Sequence, residues 1–468
     1  MNYNLLLLIA TPFAAGLLVL FPGRFLRPLR WVISILGILG AGFFLYKCFI
    51  DKNNTGLSVW RIIGSSNLPQ FLTSPVFVLI AAAFLLLWLF VMLYSFGYFK
   101  KGEEADTEYY SLTLFMLGSI LGLLFTNDLV FLYLFWEIAA LTTWRLVGFE
   151  RTGEKISIAT KTILVNFFGS ALMLVGFLLL VLQFNSFNLA DMVGAEIPLL
   201  AGILILAGIF AKSAVIPLYI WLPDAHPAAP SPTSALLSGV IVKIGLIAYI
   251  KLFTQTFVTP PEWKTALLWI VLLSSLVAGG AAMVEKDFKR ILAYSTVSQV
   301  AFIFAGLILV MQISGFVGGV LYIVAHSLAK GTLFLAYGIV GHETGERDIT
   351  NLGKLAGKMP LLFVSVLIAS LSIIGLPPFL GFFAKIGVIF SIVSSNALIV
   401  AGGFILSSIL TLLYMLRLFS RVFLSGKTPE REFRQPLYLS LIVFILSLIL
   451  VAGSAAVKPI ISYLGGIR

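Results

Sequence analysis

Residues 198–222 read PLLAGILILAGIFAKSAVIPLYIWL, and this stretch decides the class of the protein. It is largely apolar over its whole length, and a helix needs about 20 such residues to cross a bilayer. Lys212 places a charge at membrane depth, and Pro217 removes a backbone donor five residues later. The pattern predicts a membrane-spanning helix that is broken beside a buried lysine.

The rest of the chain has the same character. Of its 468 residues, 60% are hydrophobic and 11% are charged, whereas about 25% are charged in an ordinary soluble domain. We predict an all-α polytopic membrane protein, with one membrane domain over residues 1–468 and about fourteen transmembrane helices. The predicted spans are 2–22, 31–50, 73–96, 108–126, 129–149, 160–184, 198–222, 231–253, 265–284, 291–311, 314–341, 360–392, 396–420 and 435–464.

Charges in the loops test this map independently. Seventeen Lys and Arg residues follow odd-numbered spans, and four follow even-numbered spans or lie in the two tails. Because positive residues accumulate on the cytoplasmic side, both termini are predicted to lie outside the cytoplasm of a prokaryotic cell, in its inner (plasma) membrane. The net charge of +11 is then explained by topology, and no nucleic-acid partner is predicted.

Several charges lie inside the predicted spans. Long side chains near span ends reach the headgroups, which is the interpretation for Lys47, Lys251, Arg417 and Lys458. A charge at the bilayer centre costs about 2.5–3.5 kcal/mol and is usually functional. The charges that lie deep in a span or beside a helix break, and are predicted to be functional, are Glu137, Lys212, Lys243, Lys330 and Lys385.

A second break supports this interpretation. Gly375-Leu376-Pro377-Pro378 interrupts the twelfth span, and Lys385 follows seven residues later. Backbone groups freed at membrane depth need protein or water as partners, so such breaks line polar cavities. Two Pro-interrupted spans, five apart, indicate repeated halves with sites at the breaks. An ordinary kink would be the better interpretation if no lysine stood beside each break.

Two histidines are candidates for the same path. His326 and Lys330 are four residues apart and share one helix face. A neutral histidine beside a lysine can relay protons near neutral pH, although a lone histidine is more often a satisfied core residue. His226 precedes the eighth span and is interpreted either as a gate or as a helix cap.

The sequence offers no cofactor site. It contains no nucleophile elbow, phosphate loop, zinc-ligand spacing or dinucleotide fingerprint. Its single cysteine, Cys48, excludes an internal disulfide and any cluster held by this chain's thiolates alone. No metal, cofactor or redox centre is therefore predicted in this chain.

These residues resemble a known family, the antiporter-like membrane subunits shared by respiratory complex I, energy-converting membrane-bound hydrogenases and Mrp-type sodium/proton antiporters. The resemblance is close from about Asn127 to Lys385. The segments that carry it are Phe135-Trp136-Glu137, AKSAVIP at 211–217, WLPDAH at 221–226, SPTSALLSG at 231–239, DFKRILAYST at 287–296 and GLPP at 375–378.

The resemblance implies a fourteen-helix core with two inverted five-helix repeats, at 108–254 (helices 4–8) and 264–424 (helices 9–13), and with helices 7 and 12 broken. It also implies that Glu137 pairs with Lys212. Lys243 would continue a central polar axis, and the second half-channel would be formed by His326, Lys330 and Lys385.

Arg145 departs from the family pattern, which usually has a small or aromatic residue there. It lies eight residues from Glu137, about two helical turns along a similar face. It either competes with Lys212 as a counter-charge or reaches the cytoplasmic headgroups.

The expected function is proton translocation by one subunit of a membrane-bound redox complex, either complex I-like or an energy-converting hydrogenase. Electron transfer would then belong to other chains, so the enzymatic assignment of this chain stays open. The alternatives are a subunit of an Mrp-type sodium/proton antiporter and a stand-alone solute transporter. Expected partners are other membrane subunits, the lipid bilayer, protons and, in the antiporter alternative, sodium.

The charge split gives a testable topology. A reporter that is active only in the cytoplasm should be silent when fused after Arg468, because that tail follows an even-numbered span. The same reporter fused after Lys427, in a loop on the opposite side, should be active. Activity of the Arg468 fusion would refute the topology and the repeat assignment with it.

Overall fold

A computed structural model describes most of the chain. The residues it describes are 3–21, 29–50, 57–58, 70–99, 105–310, 312–427 and 434–465. Several positions used in the sequence analysis lie outside them, namely the limits of the first predicted span, residue 311, Arg24, Arg27, Lys52, Arg61, Lys100, Lys101, Arg431 and Arg468.

Helices form almost all of the described chain. Their bounds are α1 Asn4–Leu20, α2 Leu29–Ile50, α3 Pro75–Tyr98, α4 Ala105–Phe125, α5 Leu129–Val147, α6 Gly153–Phe184, α7 Leu199–Ser213, α8 Leu222–Ala228, α9 Ser231–Leu236, α10 Lys243–Tyr249, α11 Pro261–Val284, α12 Phe288–Ile308, α13 Ile313–Thr344, α14 Pro360–Ile374, α15 Leu380–Ser394, α16 Leu398–Phe419, α17 Leu437–Ala455 and α18 Val457–Gly465. A 3₁₀ turn covers Leu189–Met192, and π-helical turns cover Leu237–Ile241, Ile250–Thr256 and Ser420–Leu424. Two short antiparallel strands, β1 Leu57–Ser58 and β2 Gln70–Phe71, complete the fold.

The predicted all-α membrane fold is confirmed. Eleven helices of the described chain are long and apolar enough to cross a membrane, and each coincides with one predicted span. The other three spans correspond to the 17-residue α1, to α7 with the non-helical residues 214–221 that follow it, and to the interrupted pair α14 and α15. The breaks predicted in the seventh and twelfth spans are therefore present.

Local chemistry explains where the two broken helices end. α7 ends at Ser213, and Ala214 follows in the left-handed conformation with φ of 54°. α14 ends at Ile374, and Gly375 turns the chain with φ of 87°, a conformation that glycine adopts without strain. The prolines that follow each turn cannot supply the amide hydrogens that would continue a helix.

Two predicted spans differ in detail from the structure. The fourteenth is split at Ala456 into α17 and α18, because Pro459 lacks the N–H that would bond back to Ala455. The eighth, Ser231–Thr256, contains two π-helical turns that the sequence analysis did not predict. Such turns are frequent at functional sites in helices.

The chain forms two compact units. Unit 1 comprises Met1–Lys212 with Ile244–Pro260, and unit 2 comprises Ser213–Lys243 with Pro261–Arg468. Within unit 1, α4 packs against α1 and α5, and α5 packs against α6. Within unit 2, α13 is central, since α9, α12, α14, α15 and α17 all pack against it.

Close helix contact in unit 1 depends on glycine. A Cβ atom added at Gly208 of α7 would lie 2.6 Å from Met173 Cβ and 2.9 Å from the carbonyl oxygen of Gly169, both on α6. Backbone cannot move as cheaply as the end of a flexible side chain. α7, which carries Lys212 near its end, is thus held tightly against α6.

Gly208→Ala should lower the stability of the protein. Overpacking a tight contact costs about 1–3 kcal/mol, which exceeds the gain of at most about 1 kcal/mol from replacing a helical glycine by alanine. The measurement is the apparent Tm of the detergent-solubilised protein. Gly402→Ala is the matched control, because a Cβ there meets open space. Equal Tm values for the two variants would contradict the close contact.

Candidate functional site

Glu137 and Lys212 form the candidate cluster of unit 1. Asp128 starts α5 by accepting hydrogen bonds from the amides of Val130 and Phe131 at 2.9 and 3.1 Å, which places Glu137 in the middle of the helix. Lys212 lies in the last turn of α7 and is 1% exposed. Its ammonium stands 5.7 Å from the centre of the Trp136 ring.

The two charges interact through space. The Glu137 carboxylate lies within electrostatic range of Lys212. Its Oε1 atom is buried and has no hydrogen-bond partner in the part of the chain that the structure describes. Buried polar atoms of this kind usually bind ordered water. The structure thus brings the predicted pair together without a direct hydrogen bond at this oxygen.

Arg145 has a different partner from the one expected. Its Nε and Nη2 atoms donate to the two carboxylate oxygens of Glu108 at 2.5 and 2.7 Å, and its Nη1 donates to the carbonyl of Gly148 at 2.9 Å. Such a fork-shaped pair fixes the guanidinium strongly. Of the two alternatives for Arg145, competition with Lys212 for Glu137 finds no support, because the guanidinium forms an ion pair between α4 and α5.

Lys243 and His326 are in direct contact in unit 2. The Lys243 ammonium donates to the carbonyl of Ser238, in the π-helical turn that precedes it, and lies 2.7 Å from His326 Nδ1. Both side chains are fully buried. An ammonium can only donate, so Nδ1 accepts and the neutral imidazole carries its proton on Nε2. That nitrogen is buried and has no partner among the described residues.

Lys330 lies one turn beyond His326 on α13, as predicted. Its ammonium donates to the carbonyl of Leu292 at 3.0 Å and to the hydroxyl of Ser295 at 2.7 Å, both on α12. Lys330 is fully buried. Both partners are neutral, so no carboxylate neutralises this charge within the described chain.

Lys385 lies beside the second helix break. Its ammonium reaches back to the carbonyl of Ile374, the last residue of α14, at 3.3 Å. It also lies 5.0 Å from the Phe302 ring centre and 5.6 Å from that of Tyr322. A helix C-terminus and aromatic faces both attract a cation. The break supplies the carbonyl that binds this lysine, and α12 and α13 supply the two aromatic faces.

The glycines of the motif around the break have a steric role. A Cβ at Gly375 would lie 2.8 Å from Lys385 Cδ, and a Cβ at Gly381 would lie 1.9 Å from the carbonyl oxygen of Ser372. The two halves of the broken helix and the lysine stem thus meet where no side chain fits. Pro377 and Pro378 fill the turn between them.

Sequence reasoning missed a hydrogen-bonded network in unit 2. Ser295 accepts from Lys330 and also from the hydroxyl of Tyr414 at 3.0 Å. Gln299 donates to Tyr414 at 3.3 Å and accepts from the hydroxyl of Tyr322. The sequence spacing could have revealed one further member, Tyr322, because Tyr322, His326 and Lys330 recur every four residues. Nothing in the sequence pattern indicated Tyr414.

His226 is buried and does not cap a helix. It lies on α8, and its ring stacks on that of Phe334 with centres 4.3 Å apart. Neither ring nitrogen has a hydrogen-bond partner among the described residues, so the capping interpretation was wrong. Lys243, Lys289 and Lys330 all lie within electrostatic range of the ring.

Basic residues bind the backbone and the carboxylate of the segment that carries His226. Lys289 donates to the carbonyl of Ala229 at 2.8 Å, Arg347 donates to that of Pro227 at 3.0 Å, and Arg290 pairs with Asp224. Lys289 is only 6% exposed, although the sequence placed it in a loop. α8 is thus fixed at one end of the unit 2 cluster.

Lys251 does not reach the headgroups, so that interpretation was wrong. It is 5% exposed, its ammonium donates to the carbonyl of Thr126 at 2.7 Å, and it lies 4.4 Å from the Phe77 ring centre. These partners belong to unit 1. A lysine near the end of a span is therefore buried when a free helix-end carbonyl is within reach.

The chemistry available to these residues is proton exchange. Lysine and histidine can bind and release protons, and serine and tyrosine hydroxyls can connect them. In the described residues no three His, Cys, Asp or Glu side chains come together to hold a metal ion. The two clusters therefore offer charge and proton transfer within an apolar interior.

Curated relatives share more than half of this chain. The A1 subunit of the Na(+)/H(+) antiporter of Staphylococcus haemolyticus is 38% identical over 63% of this chain and 39% of its own length. The corresponding subunit of the Na(+)/H(+) antiporter of Bacillus subtilis gives the same identity and the same coverage. The A1 subunit of Staphylococcus epidermidis is 34% identical over 77% of this chain and 48% of its own length. The chain thus spans less than half the length of these relatives.

Solved structures share the fold over nearly the whole chain. A chain of the Mrp complex from Dietzia sp. DQ12-45-1b superposes with a TM-score of 0.88 at 22% identity, covering 99% of this chain and 96% of that one. A chain of the membrane-bound sulfane sulfur reductase, an archaeal respiratory membrane complex, gives a TM-score of 0.87 at 24% identity with the same coverage.

A family description fits the part of the sequence that contains both clusters. Residues 126–411, more than half of the chain, match the family described as NADH:quinone oxidoreductase/Mrp antiporter, transmembrane. These residues include every predicted site position from Glu137 to Lys385. With the shared fold and the sequence relatives, the match shows that this chain belongs to the NADH:quinone oxidoreductase/Mrp antiporter family of membrane proteins.

Proposed function

We propose that this chain is a proton-translocating, antiporter-like subunit of a multi-subunit complex in a prokaryotic plasma membrane. The observation that carries the proposal is the composition of the unit 2 cluster. Lys243, His326, Lys330 and Lys385 are all buried, and within the described part of the chain the three lysines donate only to neutral groups, one of which is His326. A chain that needed only a rigid scaffold would gain stability from apolar residues at these positions.

The partners of these lysines favour proton exchange over a fixed charge. An ammonium that is paired with a carboxylate is held in its charged form. In the described chain Lys243, Lys330 and Lys385 instead donate to carbonyl oxygens, a hydroxyl and an imidazole. Those groups bind the ammonium without a neutralising charge. Each lysine can therefore pass between its charged and neutral forms as a proton arrives or leaves.

Glu137 and Lys212 form a second titratable station in unit 1. Their charges interact while one carboxylate oxygen stays without a hydrogen bond among the described residues. Protonating Glu137 would remove the nearby negative charge and weaken the hold on the Lys212 proton. We propose that the Glu137–Lys212 pair links the protonation state of this chain to the neighbouring subunits of the complex.

Two kinds of complex fit this subunit. A redox complex would supply electrons through other chains, because this sequence provides one cysteine and no cluster or dinucleotide site of its own. A sodium/proton antiporter is the second candidate, and the names of the sequence relatives favour it. The similarity to a chain of an archaeal respiratory complex supports the first. The dependence of transport on sodium distinguishes the two kinds of complex. Proton uptake driven by an imposed sodium gradient is expected only for the antiporter.

We also propose the orientation and the repeats expected from the sequence. Both termini would lie outside the cytoplasm, as the distribution of Lys and Arg suggests. Residues 108–254 and 264–424 would be two inverted repeats. Support comes from the two broken segments, which are the seventh and twelfth spans and each have a buried lysine beside the break.

Lys385→Arg should block transport while preserving folding. Arginine keeps its charge at any physiological pH and cannot release a proton in a relay. The expected result is a fall of at least about tenfold in proton transport, which corresponds to a barrier raised by about 1.4 kcal/mol. The measurement is dye-monitored acidification of sealed everted vesicles that contain the assembled complex. Lys385→Glu should keep part of the activity, because a carboxylate can also exchange protons.

The control for this variant is Lys458→Arg, since Lys458 lies on α18 and is exposed. It should transport like the parent. If Lys385→Arg also transports like the parent, Lys385 is a fixed charge and the proposed path through the second break is wrong.

Glu137→Gln should reduce transport strongly without disturbing assembly of the complex. The substitution keeps the size of the side chain and removes the charge that acts on Lys212, so a loss of about tenfold or more is expected. Glu137→Asp should be milder, because the charge survives. Glu262→Gln, at an exposed position, is the control. Normal transport by Glu137→Gln would show that Glu137 only contributes to packing.

A further inference from the structure

Gln299 occupies the centre of a polar network that begins at Lys330 and ends at Tyr322, whose ring centre lies 5.6 Å from the Lys385 ammonium. It lies on α12 and is fully buried. On one side it contacts the hydroxyls of Tyr414 and Thr411, at 3.3 and 3.0 Å. On the other side its Oε1 accepts from the hydroxyl of Tyr322. No other side chain joins these two sets of hydroxyls within the described network.

The donors and acceptors around Gln299 determine the orientation of its side-chain amide. The Thr411 hydroxyl donates to the carbonyl of Ser407 at 2.8 Å, and the Tyr414 hydroxyl donates to Ser295 at 3.0 Å. Both hydroxyls therefore offer lone pairs to Gln299, and only its NH₂ group can meet them. Oε1 is left for Tyr322, whose other neighbour is the carbonyl oxygen of Ile373 at 3.3 Å. Since both of these oxygens can only accept, the phenol must donate.

The resulting network does not conduct protons from end to end. Lys330 donates to Ser295, and Tyr414 donates to the same oxygen from the opposite side. A relay requires each member to receive a proton on one side and release one on the other. The amide of Gln299 has no proton acidic enough to release and no basic site that is protonated near neutral pH. The hydroxyl chain therefore stops at Gln299.

We propose that Gln299 is a positioning residue that insulates Lys330 from Lys385, so that protons cross between them only through water admitted around the amide. This inference rests on the proposed proton-translocating function. Without such insulation, hydroxyls would join Lys330 to Tyr322, and only the space between Tyr322 and Lys385 would be left for water to bridge. The transport step would then leak whenever its driving reaction was idle.

The test replaces the amide by a group of the same shape that can exchange protons. Gln299→Glu accepts from Tyr322, accepts from Tyr414 once that hydroxyl turns away from Ser295, and binds a proton reversibly. Gln299→Asp is the second, smaller titratable variant. Gln299→Met removes the polar group without adding a titratable one. Thr411→Val removes a contact of the same amide but leaves Gln299 in place. Each is made in the full-length chain, and the complex is purified to check assembly.

The measurement is passive proton leak into sealed vesicles after an imposed pH step, with the driving reaction absent and the membrane potential clamped by potassium and valinomycin. The glutamate and aspartate variants should raise the leak by about tenfold or more. Methionine and Thr411→Val should leave it at the parental level. The added leak should change with pH as the new carboxyl titrates in the field of Tyr322, Tyr414, His326, Lys330 and Lys385.

A parental leak in both assembled carboxylate variants overturns the proposal, whatever happens to driven transport. An equal rise in Gln299→Met also overturns it, because loose packing would then explain the leak. The proposed function is judged separately by Lys385→Arg. If that variant loses transport and the carboxylate variants do not leak, proton translocation stands and insulation by Gln299 falls.

Discussion

A buried ammonium ion needs an acceptor, and in this chain the acceptor is nearly always a main-chain carbonyl oxygen. Of the six buried lysines in the described chain, five donate to a backbone carbonyl. They are Lys243, Lys251, Lys289, Lys330 and Lys385. Regular helices have few carbonyls to spare, because each bonds to an amide four residues on. Helix ends, π-helical turns and breaks supply the carbonyl for four of these lysines, whereas Lys330 shares the carbonyl of Leu292 within α12.

Two arginines are bound differently, by carboxylates. Arg145 pairs with Glu108 and Arg290 pairs with Asp224, and all four side chains are partly exposed. A guanidinium fits a carboxylate with two parallel hydrogen bonds and keeps its proton. These two permanent charges thus lie in partly exposed ion pairs, whereas the buried lysines that donate to carbonyls are bound by dipoles. Lys212 is the intermediate case, with an aromatic face and a carboxylate that acts at a distance.

Sequence reasoning found the charges because their cost is independent of the fold. A lysine in an apolar span is improbable wherever it points, so Lys212, Lys243, Lys330 and Lys385 were identifiable from hydropathy alone. The breaks were equally visible, since proline and glycine act through the local backbone. Gln299 and Tyr414 were not visible. Neutral polar residues are common in membrane helices, and what distinguishes these two is the set of partners that α12, α13 and α16 bring together.

The interpretations of Lys251 and Arg145 that the structure does not support have a different cause. Depth along a span was taken as the measure of burial, yet Lys251 near a span end is buried by Phe77 and by a carbonyl of another helix. One of the two alternatives for Arg145 was a counter-charge two turns away on its own helix, but its partner is Glu108 on α4. Partners on other helices cannot be read from the period of one helix.

The π-helical turns of the eighth span also govern how its sequence must be aligned. Each adds about one residue to the α-helical period, and one residue corresponds to a rotation of about 100°. Residues before Leu237 and after Ile241 therefore follow two helical wheels that are out of phase by that angle. Ser234 and Lys243 would be assigned to the wrong relative faces by a single wheel. Deleting one residue of the turn Leu237–Ile241 would convert it to a regular α-helix and leave Lys243 on the face that contacts His326, because the π-helical turn holds about one residue more than an α-helical turn.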